Sequence, residues 1–122
     1  MTERSGGERR ILLVEDFFMV AEIYKSLLTR LSYRVVGPAP SVETALTLLE
    51  QEEVDGAVLD VTLNGQLVTP VAHRLRELEL PFVFLTAVAN LNLLPKELQS
   101  IPLARKPVTE ERLRQALRDA GL

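Results

Sequence analysis

The chain has 122 residues, 47% hydrophobic and 25% charged, which suits one domain and excludes a disordered chain. It holds no cysteine and a single histidine, His73, so disulfides, thiolate metal sites, cysteine nucleophiles and multi-histidine metal sites are all excluded. Fourteen basic against seventeen acidic residues give a formal charge of -3, a poor footprint for direct contact with nucleic acid, which wants a basic patch. Residues 1–8 are polar and carry Gly6-Gly7, so they read as a flexible N-terminal tail before a domain spanning 9–122. Nothing resembles a signal peptide, and the longest apolar stretch, Phe82 to Ala89, is far short of the roughly 20 residues a membrane helix needs. The expectation is a cytoplasmic chain without membrane contact.

Ile11 to Val14 is a continuous apolar run that stops at two acids, the mark of a strand buried on both faces. From Phe17 to Leu31 the apolar residues Val20, Ile23, Tyr24, Leu27, Leu28 and Leu31 recur at helical spacing. Arg34 to Val36 predicts a second strand, ended by Gly37-Pro38 and Pro40. Ser41 is placed to cap a helix whose inner face is Val42, Ala45, Leu46, Leu48 and Leu49. Gly56 to Leu59 is a third strand, closing on Asp60, and a loop with Asn64-Gly65 follows. Thr69 is expected to cap the next helix with Pro70 at its first position; Val71, Leu75 and Leu78 would line it. Phe82 to Leu85 is a fourth strand ending at Thr86, and a short helix is expected around Pro95 to Leu98. Pro102 to Ala104 predicts a fifth strand ending at Lys106-Pro107. Thr109 then caps a last helix with Glu110 and Glu111 at its positive end and Gly121 as its stop.

Apolar strands alternating with helices predict a parallel sheet covered on both faces, and in such sheets ligands bind beyond the carboxyl ends of the strands. Those positions hold Glu15 and Asp16, then Asp60, Thr86 and Lys106. Taken singly each has a plain explanation: Asp16 a helix cap, Glu15 a surface charge, Asp60 a turn cap, Thr86 a loop residue, Lys106 a solvated cation. Taken together they place three carboxylates, a hydroxyl and an ammonium on one rim. Clustered carboxylates shift one another's proton affinity strongly unless a cation offsets them, and oxygen ligands with retained waters suit Mg2+. Phosphoryl transfer needs little beyond positioning and charge neutralisation, and a carboxylate can serve as its nucleophile. Asp60, alone on the central third strand, is the nucleophile candidate, with Lys106 and Thr86 on the phosphoryl oxygens.

The motifs ILLVED (Ile11 to Asp16), AVLDVTLNG (Ala57 to Gly65), VFLTA (Val83 to Ala87) and ARKP (Ala104 to Pro107) strongly resemble the receiver domain of bacterial two-component response regulators, of the stand-alone type. The resemblance runs from about Arg9 to Leu122. It implies a flavodoxin-like, doubly wound five-stranded parallel sheet of order 2-1-3-4-5. It implies that Asp60 accepts a phosphoryl group from a sensor histidine kinase or a histidine phosphotransfer protein. Mg2+ would be held by Glu15, Asp16, Asp60 and the backbone carbonyl of Thr62, and Lys106–Pro107 would be a cis peptide. A downstream protein partner would read the switch, and a homodimer is left open. The protein would be a phosphoacceptor that catalyses only its own phosphorylation and dephosphorylation.

Three positions depart from the family pattern: Thr62 where asparagine is frequent, Val88 where polar residues are frequent, and Leu103 in place of an aromatic ring. Val88 cannot hydrogen-bond an attacking water, which predicts a long-lived phosphoryl form. Leu103 breaks the usual threonine–aromatic coupling, which directs attention to Asn90 to Ser100 as the switch. These departures support an alternative, a phosphorylation-independent pseudo-receiver acting as a binding module. A haloacid-dehalogenase-type phosphatase lacks its second acid, since Thr62 occupies that position. A histidine phosphotransfer role for His73 conflicts with the strands, and a flavin site conflicts with acids where an anion-binding loop is needed. Of Phe17 and Phe18, one is expected to pack and one to lie exposed. Arg112, Arg114 and Arg118 read as a solvated face or part of a docking surface.

Overall fold

The computed structural model describes residues 8–87 and 92–122. The expected tail over residues 1–7, Val88, and residues 90 and 91 of the expected switch lie outside them.

The alternation of apolar side chains along each strand explains the layers. Leu12 and Val14 of β1 (Arg10–Val14), Ala57 and Leu59 of β3 (Gly56–Asp60), and Phe82 and Phe84 of β6 (Phe82–Thr86) join one core. The intervening Ile11, Leu13, Val58, Val83 and Leu85 join another. A strand shows successive side chains to opposite faces, so strands apolar at every position need cover on both sides. The first core is closed by α2 (Val42–Gln51) and α3 (Thr69–Glu77). The second is closed by α1 (Phe18–Arg30) and α4 (Glu110–Asp119) through Ala21, Tyr24, Leu28, Leu113, Ala116 and Leu117. Phe82 and Phe84, two apart on one face, meet edge to face with centroids 5.6 Å apart.

The main sheet holds β2 (Arg34–Ala39), β1, β3, β6 and β7 (Leu103–Arg105) in that order, all paired parallel. Counting only these five strands, the order is the expected 2-1-3-4-5. The fold is the flavodoxin-like receiver arrangement the motifs imply.

Several local readings need correction. The second strand does not stop at Gly37-Pro38 but runs to Ala39, because Gly37 takes a φ of 101° and the pairing with β1 shifts between Leu12 and Val14. The stretch after Asp60 is not a plain loop: Thr62–Leu63 (β4) pairs antiparallel with Gln66–Leu67 (β5). Asn64 and Gly65 turn it with φ of 50° and 80°, the positive pair a tight hairpin demands. Thr69 is not a cap; Val68 is, and Thr69 is the first helical residue, with Pro70 following inside the first turn. The short helix expected around Pro95 to Leu98 is present, as a 3-10 turn over Lys96–Leu98.

Ser41 and Thr109 cap as expected, their hydroxyls accepting from the Thr44 and Arg112 N–H groups at 3.1 Å each. Gly121 takes a φ of 90° just past α4. Lys106–Pro107 is cis as implied, and so is Gly37–Pro38. No helix of the described residues is long and apolar enough to cross a membrane.

Candidate functional site

The sheet order puts the tips of β1, β3, β6 and β7 side by side, and each tip delivers one piece of chemistry. β1 ends at Val14, so Glu15 and Asp16 are the first residues beyond it. Asp60 is the last residue of β3, opposite Leu85, and Thr86 is the last of β6. The Lys106 N–H donates to the Thr86 carbonyl at 2.8 Å, which locks the lysine beside the fourth tip.

The side chains of Glu15, Asp16, Asp60 and Lys106 gather at these tips. Lys106 Nζ lies 3.1 Å from Asp60 Oδ2 and 3.8 Å from Glu15 Oε1. Glu15, Asp16 and Asp60 each bring a carboxylate oxygen within 4.8 Å of the others. Glu15 is buried and Asp16 half-buried; Asp60 keeps 7% side-chain exposure, so it is recessed but not sealed. Thr86 is fully buried and its hydroxyl donates to the Ala87 carbonyl at 2.9 Å. Thr62 stands two residues past Asp60, in the first strand of the hairpin.

The electrostatics carry the strain expected of gathered acids. Burial first, and then the neighbouring Asp60 carboxylate, push the Glu15 carboxyl up to about 7, against the Phe17 N–H and the Lys106 ammonium. The Phe17 N–H donates to Glu15 Oε2 at 3.1 Å, while Glu15 Oε1 is buried without a hydrogen-bond partner. A buried carboxylate oxygen that receives no hydrogen bond and faces an oxygen-rich cluster fits a hard cation such as Mg2+, which takes carboxylates and keeps waters. The donor set, three carboxylates with no nitrogen or sulfur ligand, fits the same ion.

Two features escaped the sequence reading. Phe17 and Phe18 are both 72% exposed, so neither packs, and with Met19 and Ile23 they form an apolar surface immediately after the acids. The helical period assigns Ala21, Tyr24 and Leu28 to the core, which leaves the start of α1 pointing outward. The second feature is the Asn64 N–H, which donates to Asp16 Oδ2 at 2.8 Å. The Asn-Gly pair was its signal, since that dipeptide marks hairpins. His73 lies half-exposed on α3, 3.5 Å from Glu97, away from the acids. On α4, Arg112 donates to the Pro107 carbonyl and Arg114 pairs with Glu110 and Glu111 of its own helix.

The pattern of the response regulator receiver domain family matches residues 11–118. The chain is 30% identical over 112 residues to the sensory transduction protein LytT of Bacillus subtilis (strain 168), covering 89% of this chain and 46% of that protein. It is 34% identical over 115 residues to the positive alginate biosynthesis regulatory protein of Pseudomonas aeruginosa, covering 91% of this chain and 46% of that one. The chain therefore spans about half the length of these curated relatives. The solution structure of SdrG from Sphingomonas melonis Fr1 superposes with a TM-score of 0.84 at 31% identity, covering 100% of both chains. The acid rim, the five-stranded order and these likenesses agree: the chain belongs to the response regulator receiver domain family and is a signalling domain of two-component systems.

Proposed function

We propose that Asp60 is the phosphoacceptor and that a histidine kinase or histidine phosphotransfer protein is its donor. The observation that carries this reading is the Lys106 ammonium 3.1 Å from Asp60 Oδ2, inside a cluster of acids suited to a cation. An Asp60 carboxylate oxygen attacks the phosphorus of a phosphohistidine, the P–N bond breaks, and the imidazole leaves with its electron pair. Lys106 moves from the carboxylate towards a phosphoryl oxygen, and the Thr86 hydroxyl leaves the Ala87 carbonyl for another. Glu15, Asp16, Asp60 and the Thr62 carbonyl would hold Mg2+, whose positive charge would offset the negative charge of the phosphoryl oxygens. Phe17, Phe18, Met19 and Ile23 are exposed and follow the acids Glu15 and Asp16 along the chain, which offers a donor protein an apolar surface to cover. A cytoplasmic setting, with residues 9–122 as the receiver unit, accords with such a donor.

A second reading is a pseudo-receiver that binds partners without phosphoryl chemistry. The observation in its favour is Thr86, fully buried and already engaged by a carbonyl. Mass spectrometry after incubation with MgCl2 and acetyl phosphate, with a phosphohistidine donor as the second arm, separates the two. The expected result is one phosphoryl group on Asp60, absent in Asp60→Asn. No label from either donor, or label retained in the variant, rejects the assignment.

A further inference from the structure

Asp16 is half-buried at the mouth of the acid cluster, where an unrestrained carboxylate samples several rotamers in water. It is restrained by main chain from a distant segment. The hairpin closes through the Leu63–Gln66 pair, so the two turn residues lie outside its ladder and their N–H groups are unused by it. Positive φ at Asn64 and Gly65 folds the turn tightly, and the Asn64 N–H meets Asp16 Oδ2 at 2.8 Å. With this bond in place, oxygens of Glu15, Asp16 and Asp60 already lie within 4.8 Å of one another.

We propose that the Asn64 main-chain amide is a positioning group that holds the Asp16 carboxylate in place for a divalent cation, so that the β4–β5 hairpin sets the cation affinity of the acid cluster. The inference rests on reading that cluster as a cation site. The physical basis is that a hydrogen bond to a ligating carboxylate fixes its orientation before the ion arrives, and losing such a partner weakens metal binding by tenfold or more.

The test is calorimetric titration of the intact chain with MgCl2, beside thermal unfolding in metal-free buffer. Asn64→Pro removes the donor and opposes the positive φ. It is expected to weaken Mg2+ binding by about tenfold and, because proline cannot take the positive φ of the turn, to lower the metal-free melting temperature as well. Gln66→Ala, which changes an exposed side chain of the same hairpin and keeps the Asn64 amide, is expected to bind as the parent does. Parent-like Mg2+ affinity in Asn64→Pro overturns the proposal. No Mg2+ binding by the parent itself rejects the cation-site reading, and the proposal with it.

Amide exchange on the metal-free parent gives a second readout that needs no hairpin variant. The Asn64 amide is expected to exchange more slowly than that of Gly65, and to lose that protection in Asp16→Ala. Equal exchange at the two amides overturns the proposal, whatever becomes of the Asn64→Pro chain.

Discussion

Glu15→Gln in the metal-free protein probes the acid cluster directly. A carboxyl that titrates near 7 in the folded chain rather than at 4.5 destabilises the fold by about 3 kcal/mol once fully ionised, at about 1.4 kcal/mol per pH unit. The sign follows from proton binding. The folded state holds this proton more tightly than the unfolded chain does, so the stabilisation is complete below 4.5 and is lost as the pH rises through about 7. Glutamine keeps the size and an oxygen for the Phe17 N–H but has no charge to set against Asp60. Thermal unfolding in EDTA, followed by circular dichroism at about pH 5 and about pH 8, isolates the effect as a change in the gap between parent and variant. For a domain of this size 3 kcal/mol corresponds to about 10 °C, so the variant is expected to gain about that much on the parent between the two conditions. MgCl2 added at the higher pH is expected to raise the parent more than the variant. A gap that stays the same at both pH values refutes the argument that Glu15 is buried against Asp60.

Lys106→Ala is expected to destabilise the metal-free protein by about 2 kcal/mol, less than for a fully buried pair because the lysine is partly solvated; chemical denaturation with and without MgCl2 checks this, with recovery expected when Mg2+ is present. Gly56→Ala is expected to cost about 1–3 kcal/mol, since its Cβ would stand 2.8 Å from the Pro81 carbonyl oxygen and 2.7 Å from Leu122 Cδ1; urea midpoints measure it. Thr109→Ala removes the cap of α4 and is expected to cost about 1 kcal/mol by the same assay. Phosphoryl labelling is expected to vanish in Asp60→Asn, with the metal-free melting temperature raised or unchanged.

The parts legible in the sequence are those governed by burial and period. Runs such as Ile11 to Val14 and Phe82 to Leu85 are apolar at every position, which specifies strands covered on both faces and therefore the layer order. The acids and Lys106 were legible because strand tips are fixed points of such a sheet. What was missed depends on exact backbone geometry. Asn64-Gly65 signalled a turn, but only positive φ at both residues makes it a hairpin that reaches Asp16. Thr69 has the chemistry of a cap, yet the helix begins there with Val68 before it, and its hydroxyl is buried without a partner. Phe17 and Phe18 are apolar, which suggests packing; Phe17 is the extended residue before α1 and Phe18 starts the helix on its outward side, so both are exposed. Leu103 fills its place against the first core as a packed aliphatic residue, so no ring is there to turn.

The margin formed by β2 has a further consequence. It is one border of the sheet, and a border strand normally offers free amides on which a stranger's strand could be templated. Here Pro38 contributes no amide, and the bend at Gly37 breaks the regular spacing of the donors that remain. At the opposite border β7 is only three residues long. Neither margin offers a long, even row of amides, so both borders of the sheet are poor templates for a continuous ribbon.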